Sequence, residues 1–307
     1  MGGNTPARRC YKGGNGFGLT PMELSVIIVS YNVCGYLRQA LRSVTEAASG
    51  IRHEITVIDN HSVDGSAEMV HDEFTYVRLI VSETNEGFSS ACNRGIKAST
   101  GKFILILNPD TVIAPDSLDK ALTFMHSHPD AGAAGARMTD GNGRFLPESR
   151  RGFPSPLTSL FKFIGMGRLF PRSPLFNAYY LGHLPEDEIC RADILTGAFM
   201  LIRREALDKA GLFDPAFFMY GEDIDMSWRI RKAGYFNYYL PEVQIVHYKG
   251  RSAATDRESS VSHFYGAMKI FAVKHLRRGW HIPVKTAVTL LRMSSVVSLR
   301  AGRLIKK

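Results

Sequence analysis

Leu24-Ser25-Val26-Ile27-Ile28-Val29-Ser30-Tyr31-Asn32 is an apolar run closed by polar residues, and the reading of the fold turns on it. Val26 to Val29 show no alternation, so both faces of this strand must be covered, as in a parallel sheet between two layers of helices. Outward from it, apolar runs at 54–58, 77–81 and 103–107 predict further strands. Helical stretches fill the gaps at 35–48, 66–74 and 88–99, and another follows at 116–126. Strands alternating with helices of this length are βαβ units, so the expected class is α/β with a doubly wound sheet.

After residue 135 the alternation weakens, and 138–174 is rich in Gly, Pro and Arg, which predicts a long loop region. Strand character returns over 189–203, through Ile194 and again over 199–202, followed by a short helix at 204–210 stopped by Gly211. A helix over 223–233 starts in acidic residues and ends at Gly234, and strands at 236–240 and 243–246 lead to His247.

With 307 residues, 45% of them hydrophobic, the chain can fill a sizeable core, which excludes disorder as its main state. Cys10, Cys34, Cys92 and Cys190 lie far apart without a C-x-x-C pair. That excludes a disulfide framework and a thiolate zinc site, and it fits a reducing, cytoplasmic compartment. Residues 1–21 are rich in Gly and polar residues, lack the apolar stretch of a signal peptide and are expected to form a flexible arm. Gly14, Gly16 and Gly18 precede the first strand and are not spaced as a dinucleotide-binding loop.

The net charge of +9 is unevenly placed. From Ser259 onward there are ten of the 38 Lys+Arg and none of the 29 Asp+Glu, which leaves residues 1–258 with 28 against 29, a net of −1. The expected organisation is the arm at 1–21, one α/β domain over 22–258 and a basic helical extension over 259–307. Tail helices are expected at 263–275 and 284–303, with Val284, Val288, Leu290 and Leu291 set among cations. The tail lacks the run of about 18 apolar residues needed to span a bilayer. It is therefore read as lying on an anionic membrane surface, with docking on the α/β domain as the alternative. No nucleic-acid partner is expected, because no binding module accompanies the charge.

In doubly wound sheets ligands bind beyond the carboxyl ends of the strands. Here those ends carry Ser30-Tyr31-Asn32, then Asp59-Asn60 followed by Ser62 and Asp64, then Asn108-Pro109-Asp110. Asp59 can accept hydrogen bonds from a base or ribose, while Asp64 is read as a helix cap. Asp110 can ligate Mg2+ or Mn2+, although Asn, Pro and Asp also make ordinary turns. Glu222, Asp223 and Asp225 cluster at a helix start, where acids suit the helix dipole; one can serve as a general base while Asp225 pairs with Arg229 at i, i+4. His247 ends a strand and can ligate a Mn2+-type ion, and Lys249 and Arg251 follow it within reach of phosphate oxygens.

These segments in this order resemble the family 2 glycosyltransferases, in particular their rhamnosyltransferase-like branch of cell-surface polysaccharide synthesis. The resemblance runs over about 24–252 and rests on 25–32, Val57-Ile58-Asp59-Asn60 with Asp64-Gly65-Ser66, Asn85-Glu86-Gly87-Phe88 with Asn93-Arg94-Gly95, Asn108-Pro109-Asp110, 196–200 with Arg203-Arg204, 217–225 and Trp228-Arg229. It implies a GT-A fold, a mixed sheet flanked by helices, and inverting transfer of a sugar from a nucleotide-diphosphate donor to a hydroxyl of a saccharide or lipid-linked acceptor. By that resemblance Asp59 holds the nucleoside, Asp110 and His247 the metal, and Asp223 is the base with Glu222 as second candidate. Ser30, Tyr31, Asn32, Asn85, Gly87, Asn93 and Asn108 line the donor side, and Gly197 is the floor where donor and acceptor meet. The family's D-x-D is here Asn108-x-Asp110, which weakens the negative charge of the metal site. The cysteine pattern and the basic tail together lead to the expectation of a cytoplasmic enzyme, peripheral on the inner face of the cytoplasmic membrane. Two other readings are a sugar-phosphate nucleotidyltransferase, which would carry a Gly-rich basic loop where Tyr31-Asn32-Val33 stand, and a non-catalytic membrane adaptor.

Overall fold

The computed structural model of the chain describes residues 22–248, 257–276 and 288–289. The expectations for the 1–21 arm, for Lys249 and Arg251, and for the tail helix at 284–303 apart from 288–289 lie outside the described residues. The first half follows the order read above: β1 (Leu24–Ser30), α1 (Cys34–Ala47), β2 (His53–Asp59), α2 (Ser66–Glu73), β3 (Arg78–Val81), α3 (Phe88–Lys97) and β4 (Phe103–Leu107). Then come β5 (Thr111–Ile113), α4 (Ser117–Ser127), β6 (Ala131–Thr139), α5 (Pro156–Phe163), α6 (Met166–Leu169), β7 (Cys190–Ala192) and β8 (Phe199–Arg203). Last are α7 (Arg204–Ala210), α8 (Glu222–Lys232), β9 (Phe236–His247) and α9 (Arg257–His275).

The strands form one mixed sheet in the order β3-β2-β1-β4-β8-β6-β9-β5, with β7 paired to β9. Every residue of β1 is buried, as its unalternating sequence requires. Leu24, Val26 and Ile28 pack with Leu37, Leu41 and Val44 of α1 and with α2 and α4 on one face. Ile27 and Val29 join Ala91, Cys92 and Ile96 of α3 and Met226 and Ile230 of α8 on the other. Each such aliphatic side chain contributes about 1.5–3 kcal/mol on full burial, so the two layers hold the sheet from both sides. β2 and β3 extend the sheet to one side of β1 and β4 to the other, all in parallel. The strand order thus reverses between β1 and β4, the place where such sheets leave a crevice.

Three expectations need correction. The 138–174 stretch is not one loop: β6 runs into it as far as Thr139, a 3-10 turn covers Pro147–Ser149, and α5 and α6 follow. β6, Ala-Gly-Ala-Ala-Gly-Ala-Arg-Met-Thr, is made of poor strand formers. Its small residues are required by packing, because a Cβ on Gly135 would lie 2.8 Å from Leu195 Cδ2. Second, the two strands expected at 236–240 and 243–246 are one, β9. Between them Pro241 lacks the N–H a ladder needs, and the register against β6 slips from Ala136↔Leu240 to Arg137↔Gln244. Third, the tail helix expected at 263–275 starts earlier, at Arg257, and packs on the α/β body, the alternative named for it. Ala267 and Phe271 of α9 share a cluster with Phe217. His275 Nε2 lies 2.7 Å from Asp225 Oδ1, and Lys274 pairs with Asp214.

Candidate active site

At the carboxyl end of β1, Ser30 stands in register with Asp59 of β2, and both are buried. Asp59 Oδ2 accepts the Ser62 N–H at 2.9 Å, whereas Asp59 Oδ1 and Ser30 Oγ have no hydrogen-bond partner. Tyr31 is half-buried beside them. Asn32 adopts a left-handed φ of 54° and ties the two strand ends together: its N–H donates to Ser62 Oγ at 3.0 Å, and its Oδ1 accepts from Val63 N–H at 2.8 Å. Asp64 caps, as expected, receiving the N–H of Cys34 at the start of α1 at 2.8 Å and the N–H of Ser66 at the start of α2 at 3.2 Å.

Asn60, which the sequence reading passed over, organises the next loop. Its Nδ2 donates to Asn85 Oδ1 at 2.8 Å, and its Oδ1 accepts from Glu86 N–H at 3.0 Å. Asn85 Oδ1 also accepts from Gly87 N–H at 3.0 Å. Gly87 then sits at φ +81° with no room for a Cβ, which would lie 2.7 Å from both the Phe218 ring and its carbonyl oxygen. Asn93 lies on α3 with its amide engaged by Phe213: Nδ2 donates to the Phe213 carbonyl at 2.7 Å and Oδ1 accepts its N–H at 2.9 Å. Asn85 and Asn93 are thus engaged by neighbouring backbone, and Gly87 lies against Phe218.

Asp110 and His247 meet because β5 pairs antiparallel with the end of β9, Thr111 opposite His247. His247 Nε2 lies 3.2 Å from Asp110 Oδ1, which has no hydrogen bond and is only 4% exposed. A buried carboxylate oxygen facing an imidazole nitrogen suits a divalent cation of the Mn2+ or Mg2+ type. Among the described residues no three or more His, Cys, Asp or Glu side chains gather around a common point, and Asp110 and His247 are the two that meet here. Asn108 is half-buried, and its N–H donates to the Ala198 carbonyl at 3.2 Å, joining this corner to the Gly197-Ala198 turn.

The acidic cluster opens α8. Tyr220 and Gly221 both adopt left-handed φ, 71° and 82°, and aim its first turn. Asp223 Cβ lies 3.9 Å from the position a Cβ on Gly197 would take. Asp223 Oδ2 accepts from Arg151 Nη2 at 2.5 Å, and Oδ1 accepts the Ile224 N–H at 2.8 Å. Burial disfavours the charge of Arg151, but the Asp223 carboxylate outweighs it and holds the guanidinium above its usual range. Glu222 is buried with Oε2 unpartnered, and burial, then the Asp223 charge, pushes its carboxyl up to about 8. Burial, with the Glu222 charge added, likewise pushes the Cys92 thiol of α3 well up, so Glu222 turns to the α3 side while Asp223 turns to Gly197. Asp225 pairs with Arg229 at 2.8 Å, as its spacing predicts.

Asp110, His247, Gly197 and Asp223 are linked through adjoining turns, and Asp59 lies along the same rim, with β1 between β2 and β4 and strands spaced about 4.8 Å apart. Arg151 was invisible in the sequence because it stands in the Gly- and Pro-rich stretch, without periodicity to mark it.

The model of the family described as glycosyl transferase family 2 matches residues 25–211. The N-acetylglucosaminyl-diphospho-decaprenol L-rhamnosyltransferase of Mycobacterium tuberculosis is 29% identical over 274 residues, 85% of this chain and 88% of that protein. Among solved structures, TarS of Staphylococcus aureus is 18% identical with a TM-score of 0.56 over 89% of this chain, which spans 43% of TarS. The mannosyltransferase PcManGT of Pyrobaculum calidifontis, in complex with GDP-Man and Mn2+, is 18% identical with a TM-score of 0.54 over 93% of this chain and 80% of that one.

Proposed function

The chain belongs to glycosyl transferase family 2 and has the GT-A type of mixed sheet, and from that premise we propose that it moves a sugar, a rhamnosyl group first among candidates, from a nucleotide-diphosphate donor to a hydroxyl of a lipid-linked saccharide during cell-surface polysaccharide synthesis. The observation that carries this reading is the row of buried polar atoms at the strand ends: Ser30 Oγ and Asp59 Oδ1 without a partner, and Asp110 Oδ1 without a hydrogen bond and faced by the His247 imidazole. Each such atom costs about 1–3 kcal/mol when left unpaired, so their gathering on one rim fits a ligand that supplies the missing partners.

Asp59 and Ser30 receive the nucleoside, and Asp110 with His247 holds a divalent cation. When bound, Mg2+ or Mn2+ supplies Lewis-acid neutralisation of the charge developing on the diphosphate. With Asn108 in place of a second carboxylate, the cation is held by less charge. Arg151 fixes Asp223 beside Gly197, where it takes the proton of the acceptor hydroxyl. The hydroxyl oxygen bonds to the anomeric carbon as the bond to the diphosphate breaks, which inverts that carbon. Glu222 keeps its proton up to about pH 8, so two adjacent carboxylates do not both carry charge.

The lipid-linked acceptor is the one named for the mycobacterial relative, and it sets the work at a membrane face; no helix among the described residues is long and apolar enough to cross one. Nucleotidyl transfer fits poorly. Only Tyr31, Asn32 and Val33 connect β1 to α1, and Asn32 is bound to Ser62 and Val63, which leaves no Gly-rich phosphate loop. Release of nucleoside diphosphate from dTDP-, UDP- and GDP-sugars, with and without Mn2+, tests the proposal. One donor should turn over on a lipid-linked acceptor, and Asp223→Asn should lower kcat about 100-fold or more. Pyrophosphate formed from a nucleoside triphosphate and a sugar phosphate would overturn the reading, and undiminished turnover in Asp223→Asn would remove the base.

A further inference from the structure

From Arg150 to Pro185 the chain has no Asp or Glu, but it carries Arg150, Arg151, Lys162, Arg168 and Arg172. This is the insertion between β6 and β7 that contains α5 and α6. α5 is firmly started, with a capping box between Ser155 and Thr158 and a proline in its first turn. Leu157, Leu160 and Ile164 recur at i, i+3 and i+7, so they share one face. In a helix packed on a globular body that face turns inward. Here it turns outward: these three residues, together with Phe170 and Leu175, are between 48% and 54% exposed, and Leu169 is 71% exposed. Beneath the insertion a cavity of about 570 Å³, lined by Arg150, Lys162, Arg168, Phe176 and Tyr179, separates it from the body. Arg168 and Arg172 are exposed beside the apolar ridge, whereas Lys162, on the opposite face of α5, turns beneath the insertion and holds its ammonium 3.9 Å from the Tyr179 ring centroid.

We propose that the α5–α6 insertion, with Leu157, Leu160, Ile164, Leu169 and Phe170 at its crest and Arg168 and Arg172 beside it, is a docking surface for an anionic lipid bilayer. The choice of occupant follows from charge. An apolar ridge flanked by two arginines, in a stretch free of carboxylates, complements acyl chains beneath negative headgroups. Its position gives the contact a purpose, which rests on the lipid-linked acceptor proposed above. The insertion springs from Arg151, the partner of Asp223, and the next aromatic, Phe153, stacks on Trp228 of α8 at 4.2 Å. A bilayer under the crest therefore lies on the Asp223 side of the molecule.

The test is co-sedimentation of the purified full chain, without donor, with phosphatidylcholine vesicles that contain or lack phosphatidylglycerol. Binding is expected to the anionic vesicles. It should weaken about fivefold for each of Arg168→Gln and Arg172→Gln, and at least about tenfold in Leu160→Glu/Leu169→Glu. The double variant should keep the thermal midpoint and its turnover on a water-soluble acceptor. Wild-type binding by the double variant overturns the proposal in favour of another surface, such as the basic tail. So does failure of the wild type to bind anionic vesicles, or a dimer in gel filtration that these substitutions dissolve. Vesicle binding is read without turnover, so its failure is distinguishable from failure of the glycosyl-transfer reading.

Discussion

Replacing Arg151 by Met removes one half of an ion pair whose side chains are 12% and 14% exposed. At that depth solvent does not replace the lost partner well. Removing one member of a buried pair costs about 3–5 kcal/mol, against about 0.2–1 kcal/mol for a pair on the surface. Arg151 also donates to the Leu195 carbonyl at 3.1 Å, a bond worth about 0.5–1.5 kcal/mol. The methionine restores part of the apolar contact, so a net loss near 3 kcal/mol is expected. For a chain of this length that is a fall in Tm of about 5 °C. Adding Asp223→Asn removes the stranded charge, so the double variant should recover most of the loss while remaining inactive. Urea denaturation followed by circular dichroism measures all three proteins. A cost below about 1 kcal/mol for Arg151→Met, or no recovery in the double variant, would refute the view that this pair is effectively desolvated.

Glu222 gives stability a pH dependence of known sign. Its carboxyl is raised from 4.5 to about 8 in the folded chain, so the stabilising proton is fully present below pH 4.5 and its contribution is lost as pH rises through about 8. Glu222→Gln should flatten that slope and exceed the wild type in denaturant midpoint above pH 8, and parallel profiles for the two proteins would contradict it. Gly87→Ala forces a Cβ to within 2.7 Å of Phe218 at a φ of +81°. It should cost about 1–3 kcal/mol and weaken donor binding in calorimetry. Asp110→Ala and His247→Ala should each weaken Mn2+ binding about tenfold or more, read as free Mn2+ by electron paramagnetic resonance.

Much of the sheet was legible because β1 and β4 carry unbroken apolar runs, Val26 to Val29 and Phe103 to Leu107, which two-sided burial explains. β6 was not, because its alanines and glycines answer to close packing by Leu195 and α8, a tertiary demand that leaves no local periodicity. α5 was hidden by its length and by flanking Pro and Gly. At the site, the strand-end rule brings Ser30, Asp59 and Asp110 to one rim, but nothing in the spacing places His247 beside Asp110. That required β5, a strand of three residues, to find β9. Asparagines were the least readable. Asn32, Asn85 and Asn93 have the chemistry of ligand contacts, and here their side chains also do the work of loops, bonding to the Val63, Gly87 and Phe213 backbone.

β5 is the outermost strand of its sheet path, held only along β9. A cation clasped between Asp110 and His247 would act as a rivet through that seam, joining a residue from the chain's first half to one near the end of β9. The amides of Thr111 to Ile113 would then exchange with solvent more slowly once the metal is loaded, and the sheet margin would stiffen in step with readiness to bind donor.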